Sequence, residues 1–222
     1  MSALDRAAWP DLGGARLLIV PVGATEQHGP HLPLSTDTDI AQALGTRLAA
    51  ALPGACLAPA LPYGASGEHQ AFPGTLSIGS SATAQVLLEL GRSSTETFAR
   101  VLFICAHGGN AEALSGAVGK LCAEGRDVRA WSPRWSGDAH AGHLETSLML
   151  AIAPERVRLE RAQIGNPAPL AELMPVMRAE GVRAVSANGV LGDPAQASAE
   201  HGRALLAAEH ERITRMVREW LR

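Results

Sequence analysis

The chain has 222 residues, a formal net charge of −3 and 46% hydrophobic residues. That is long enough for one domain with a real core, and 1–222 is expected to form a single domain. Lys and Arg are scattered without a basic patch, which excludes a nucleic-acid-binding surface as the leading idea. No apolar run is long enough to cross a bilayer.

The first residues, Met1 to Arg6, carry no hydrophobic signal segment, so a cytoplasmic protein is expected. Residues 1–14 read as a lead-in ending at Gly13 and Gly14. The run Arg16–Val22 is apolar and β-branched and predicts a buried strand. The stretch from Gly23 to Asp39 then holds Glu26, His28, His31, Asp37 and Asp39 among Gly, Pro, Ser and Thr, which favour irregular backbone. Ligand-type residues at the end of a strand are where α/β proteins keep their sites. Glu26 and His28 are i and i+2, so extended backbone points both to one side. A carboxylate beside an imidazole suits a divalent transition metal. Asp37 follows after enough loop to fold back, and its two oxygens allow it to bridge two ions. Ile40–Leu52 predicts an amphipathic helix, with Asp39 as its cap.

Leu57–Tyr63 is extended, and its prolines make it an edge strand or one running into a loop. The loop from Gly64 to Thr75 carries Glu68 and His69. If extended, these adjacent side chains diverge and do not bind one metal, so they either line the mouth of a site and meet substrate or the ligands' own partners, or belong to an ordinary polar loop. Leu76–Ile78 reads as a short strand. A helix is expected over Ala82–Leu90, capped by Ser80 or Ser81, with helical character resuming through Thr95–Ala99.

Val101–Ala106 is the clearest buried strand, and it ends in His107, Gly108, Gly109 and Asn110 before a helix over Ala111–Ala123. His107 sits well for a third ligand. Gly108 and Gly109 let backbone approach closely and present N–H groups to an oxyanion. Asn110 either caps that helix or belongs to the site. Val128–Trp131 is a further strand, leading through Trp135 and Asp138 to His140, His143 and Glu145. A helix follows over Leu144–Ile152 and ends before Pro154. Glu145 is a candidate carboxylate ligand, and His140 a candidate general acid/base because imidazole titrates near neutrality. His143 reads as a partly exposed helix-start residue. Trp131 and Trp135 either wall a pocket or pack in the core.

Beyond Pro154 ligand-type residues thin out. Pro169–Glu180 looks helical, 182–194 looks like an extended arm with an Asn188-Gly189 turn of the kind that completes a neighbouring subunit, and Glu200–Leu221 is a long closing helix on which His201 and His210 face solvent. The three cysteines, Cys56, Cys105 and Cys122, are too few and too scattered for a disulfide framework.

Glu26-x-His28, Asp37 eleven residues after Glu26, the run His107 to Asn110, and His140-Ala-Gly-x-x-Glu145-Thr-Ser together resemble the creatininase (creatinine amidohydrolase) family. The resemblance implies a three-layer α/β/α sandwich around a mainly parallel sheet. It implies two divalent ions per chain (zinc, iron(II) or manganese) held by Glu26, His28, Asp37, His107 and Glu145, with Asp37 bridging. It implies hydrolysis of amide bonds by a water activated between the ions, with His140 carrying the proton to the leaving amine. Compact homo-oligomers, hexamers among them, are the family habit. The runs Tyr63 to Gln70, Gly91-Arg-Ser, Gly137 to Ser147 and Val190 to Pro194 look like a peptide-cleaving branch of that family. That branch trims a short modified precursor peptide and releases a dipeptide derived from Val and Tyr. Creatininase has a Glu where this chain has Gly109, which weakens creatinine as substrate and makes Glu145 the replacement carboxylate. Other readings are a hydrolase of a small cyclic amide or formamide, or a non-catalytic metal-stabilised scaffold.

Overall fold

The computed structural model describes residues 2–14 and 16–222; Met1 of the expected lead-in and Ala15 lie outside the described residues. Its centre is a five-stranded parallel sheet of β1 (Ser2–Ala3), β2 (Leu17–Val22), β3 (Ala55–Leu57), β4 (Arg100–Cys105) and β5 (Val128–Trp131), in the order β1-β3-β2-β4-β5. Every residue of β2 is buried. This is the continuous apolar run expected of a parallel strand covered on both faces.

The side chains of β2 and β4 alternate between two cores, as the period of two requires. Leu17, Ile19, Leu102 and Ile104 face helices α1 (Thr36–Ala51), α4 (His143–Ile152) and α7 (Ala199–Trp220). Leu18, Val20, Val22, Val101, Phe103 and Cys105 face helices α2 (Gly79–Ser94) and α3 (Ala111–Ala123). The result is the expected three-layer α/β/α sandwich. Helices α5 (Leu170–Glu180) and α6 (Val182–Val185) form a satellite cluster around Leu173, Val182 and Leu191. Among the described residues no helix is long and apolar enough to cross a membrane.

Several boundaries differ from expectation. Helix α1 starts at Thr36, not Ile40. Asp37 and Asp39 lie in its first turn, and Ser35 occupies the cap position. Its polar first turn hides it from an apolar periodicity, yet acids there suit the helix dipole. Asp39 therefore does not cap; it accepts from Ser35 Oγ at 2.8 Å and from Arg156 at 2.7 Å. Of the expected stretch 57–63 only Leu57 lies in β3, which runs into a loop as one of the two readings had it. β3 is not an edge, because β1 covers it, from a lead-in that holds a strand and two helical turns. Leu76–Ile78 forms only isolated pairings, Leu76 with Thr25 and Ser77 with Gly64. Helix α2 starts at Gly79, where Ser77 Oγ accepts from the Gly79 N–H, so neither Ser80 nor Ser81 caps it; residues 95–99 turn rather than resume helix. The arm is not extended. It begins with the single turn α6 and then pairs Leu191 antiparallel with His140 of the same chain.

The strand order places the site. From β2 the chain moves to β3 on one side, while β4 leads to β5 on the other. The carboxyl ends of β2 and β4 therefore open at a switch point, where open α/β sheets form their ligand crevice. Val22 pairs with Cys105, so the loops beginning at Gly23 and Ala106 leave side by side.

Candidate metal centre

Five elements converge at that crevice. The loop after β2 brings Glu26 and His28, α1 brings Asp37, the loop after β4 brings His107, and α4 with its preceding loop brings Glu145 and His140. Asn110, in the loop after β4, ties that loop to the one after β2 and to the loop at Ala65. Its amide donates to Gly23 O at 3.0 Å, and its Oδ1 accepts from Ala65 N–H at 2.8 Å. It is fully buried and does not cap α3.

Glu26, His28, Asp37 and His107 are each at most 6% exposed. Two groups of three share Asp37: Glu26, Asp37 and His107, and His28, Asp37 and Glu145. Within each group one ligand atom per residue lies within 4.8 Å of the others. His28 Nε2 is 3.3 Å from Asp37 Oδ1 and 3.8 Å from Glu145 Oε2. His107 Nδ1 is 3.1 Å from Asp37 Oδ2, and its Nε2 is 3.4 Å from Glu26 Oε2. Glu26 Oε2 and Asp37 Oδ2 are buried without an aligned hydrogen-bond donor among the described residues. Such lone pairs cost free energy unless something positive meets them.

Backbone carbonyls decide which imidazole nitrogen faces the cluster. His28 Nδ1 lies 3.2 Å from Glu26 O, and His107 Nε2 lies 2.9 Å from Ala65 O. A carbonyl only accepts, so these nitrogens carry hydrogens. His28 Nε2 and His107 Nδ1 are left to ligate, the arrangement that protein partners give metal-binding histidines.

The charges confirm the crowding. Burial pushes the Glu26 carboxyl up to about 8, against the pull of His107. Burial works against the His28 imidazolium, yet Asp37, Glu145 and Glu26 together raise it to about 10. His107 is raised well above its ordinary value, with burial again outweighed by Glu26 and Asp37. The Asp37 carboxyl falls far below the carboxylate range, because His28 and His107 outweigh its burial. Glu145 is raised by burial to about 6. These carboxylates and imidazoles around Asp37 form a donor set that suits divalent cations, whose binding would displace protons from it.

Glu68 and His69 correct the expectation that they diverge. They sit in a single 3-10 turn, Gly67–His69, rather than extended chain. His69 Nε2 is 3.5 Å from Glu26 Oε1, and Glu68 Oε1 is 4.0 Å from His107 Nε2. Gly109 has its reason here: a Cβ on it would collide with Ala65 O and His107 Nε2, and would lie 2.7 Å from Glu68 Oε1. His140 is buried, with Nδ1 3.9 Å from both Glu26 Oε1 and Glu145 Oε2; burial and His28 hold its pKa well below the usual value.

A cavity of about 1000 Å³ opens above the cluster; Gly108, Gly109, Trp135, Leu170, Met174 and Met177 are among its lining residues. Trp131 does not wall it. Its Nε1 donates to Glu209 at 2.7 Å, tying β5 to α7. His143 is partly buried and meets the exposed His201, Nε2 to Nδ1, at 2.7 Å, away from the cluster; His210 is partly buried. Sequence reading missed Gln27, buried between Glu26 and His28. Its only sequence signal is that position.

The family sequence model described as "Creatininase: Creatinine amidohydrolase" matches residues 5–217. A Mycobacterium ulcerans protein named mycofactocin precursor peptide peptidase is 50% identical, covering 96% of this chain and 87% of its own. The Mycolicibacterium smegmatis protein of the same name is also 50% identical, covering 92% and 85%. The creatinine amidohydrolase of Pseudomonas putida is 31% identical, covering 93% and 90%. Among solved structures, one titled "Creatininase Mn" superposes with a TM-score of 0.84 at 26% identity, covering 99% of this chain and 98% of its own. A creatininase mutant of Zn-Zn type matches with the same values.

Proposed function

The chain belongs to the creatininase family, and we propose that it is a binuclear metal-dependent hydrolase of a peptide amide bond, acting as a mycofactocin precursor peptide peptidase. The observation that carries this reading is Asp37 shared by two ligand groups beneath a cavity of about 1000 Å³.

Glu26, Asp37 and His107 would hold one ion, and His28, Asp37 and Glu145 the other. Zn²⁺, Fe²⁺ and Mn²⁺ all suit this mixture of carboxylate and imidazole. When bound, divalent ions supply Lewis acidity, polarising an amide carbonyl and lowering the pKa of water toward neutrality. The chain's residues do the rest. Burial of Glu26, His28 and Asp37 keeps bulk water from screening the charges. His140 takes a proton beside Glu26 and Glu145 and hands it to the leaving amide nitrogen. The backbone of Gly108 and Gly109 lines the cavity where an oxyanion would develop.

Two features favour a peptide over a compact ring. The cavity lies at the upper end of ordinary ligand-pocket volumes, and Leu170, Met174 and Met177 give it an apolar wall for side chains. Gly109 also lacks the carboxylate that the creatininase resemblance would place there. The reading is tested by incubating the metal-loaded chain with the modified precursor peptide and analysing the products by mass spectrometry. Release of a C-terminal dipeptide derived from Val and Tyr is expected, and Glu26→Ala should release none. Hydrolysis of creatinine or a formamide with the peptide left intact would overturn it in favour of a small-amide hydrolase.

A further inference from the structure

Gln27 is buried in the middle of the site, and the ligand chemistry gives it no task. Backbone fixes its amide from both ends. Oε1 lies 2.8 Å from the Gly29 N–H, which can only donate. Nε2 lies 3.0 Å from Gly189 O, which can only accept. The usual ambiguity between amide oxygen and nitrogen is thereby removed. Gly189 allows this close approach: its φ is +79°, and a Cβ there would collide with Gln27 Oε1.

Nε2 has two hydrogens, and Gly189 O takes one. Two imidazole nitrogens compete for the other: His69 Nδ1 at 2.9 Å and His140 Nε2 at 3.1 Å. His140 Nε2 also lies 2.8 Å from the backbone O of Gln27. That oxygen only accepts, so His140 Nε2 carries a hydrogen and cannot receive another. The second amide hydrogen therefore goes to His69 Nδ1, which must be bare. The hydrogen of His69 sits on Nε2, 3.5 Å from Glu26 Oε1. The bare nitrogen of His140 is Nδ1, 3.9 Å from Glu26 Oε1 and from Glu145 Oε2.

We infer that Gln27 is a positioning residue that holds His69 and His140 in the same tautomer but turned oppositely, so that the cavity meets an N–H from His69 and a lone pair from His140. Glu26, Glu68 and His69 are close enough to hold an ion by distance alone. The hydrogen on His69 Nε2 removes it from the ligands and makes it a donor to Glu26 or to a substrate oxygen. His140 is left able to accept a proton without first losing one. The tasks of the two histidines rest on the hydrolase reading; the placement of the hydrogens does not.

The test is solid-state ¹⁵N NMR of histidine-labelled, zinc-loaded protein, with His69 and His140 assigned from the spectra of His69→Gln and His140→Gln. Both residues should show a protonated Nε2 and an unprotonated Nδ1. Gln27→Glu, whose carboxylate only accepts, should move the His69 hydrogen to Nδ1. A native spectrum with His69 protonated at Nδ1, or ligating zinc through Nε2, would overturn the inference. An unchanged His69 in a folded Gln27→Glu chain would do the same, and if that variant does not fold the native spectrum decides alone. On the peptide, Gln27→Glu should lower kcat about tenfold or more at unchanged KM and unchanged zinc content. In a His69→Gln background the same substitution should cost less than about twofold, because acting partners are not additive. Equal losses in both backgrounds would contradict action through His69. A native chain inactive on the peptide would sink the substrate assignment while leaving the spectrum readable.

Discussion

At the scale of single residues, the site separates groups that hold charge from groups that move it. His140 lies outside the two groups that share Asp37, yet within 3.9 Å of a carboxylate from each side. His140→Ala should keep both ions, measured by elemental analysis, and lose about 100-fold or more in kcat, the usual yield of a positioned acid/base. Retained turnover with lost thermal stability would take His140 out of the proton path and leave it a structural role. Gly109 has the opposite character, since it contributes no side chain and leaves room for its neighbours. Gly109→Ala would push a methyl against His107 Nε2 and Ala65 O. It should weaken binding of one of the two ions by about tenfold or more, as losses of ligand-orienting partners do, and titration against a chelator would read this directly.

Glu26, His28 and His107 were legible in the sequence because they follow apolar runs that could only be buried strands. Asp37 was legible as a candidate ligand but not as part of a helix, since the first turn of α1 is polar. Glu68 and His69 were misjudged because a 3-10 turn and an extended loop have the same composition, and only the turn sends both side chains inward. Gln27 was hidden because its partners, Gly189 O and His69, are distant in sequence and no pattern joins them to it.

At the scale of elements, the crevice depends on ties between loops more than on any one loop. Asn110 joins the chain after β2, the loop at Ala65 and the start of α3, all without exposure. Asn110→Ala strands a buried carbonyl and a buried N–H. It should cost about 2–4 kcal/mol, seen as a lower denaturation midpoint together with weaker ion binding. A stability loss with undisturbed ion affinity would show that the loops hold their places without it. Strands β2, β4 and β5 and the helices α3, α4, α5 and α7 were read closely from periodicity, because each is a long enough apolar pattern; β1 and β3 are too short to show one. The arm after Val182 was not, because its pairing with His140 is an isolated bridge rather than a ladder.

At the scale of the whole molecule, the concentration of buried imidazole couples the fold to pH. His31 is 1% exposed with Nε2 2.8 Å from Thr146 Oγ1, and burial first, then His28, pushes its pKa down to about 4. A folded-state value below the ordinary 6.5 means that the unfolded chain takes the proton more readily. The contribution is therefore fully present above pH 6.5 and is lost as the pH falls from there through about 4. Up to about 3 kcal/mol of stability is at stake. His31→Gln should flatten denaturant midpoints over that range relative to the native chain; an equal slope in both would place the sensitivity elsewhere.

The central claim is that Asp37 serves two cation positions at once. It is tested most directly by counting divalent ions per chain, by elemental analysis after dialysis, in the native protein and in Asp37→Asn. The shared-carboxylate account predicts close to two ions in the native chain and loss of both in the variant. A native chain holding one ion, or an Asp37→Asn chain that still holds two, would contradict it.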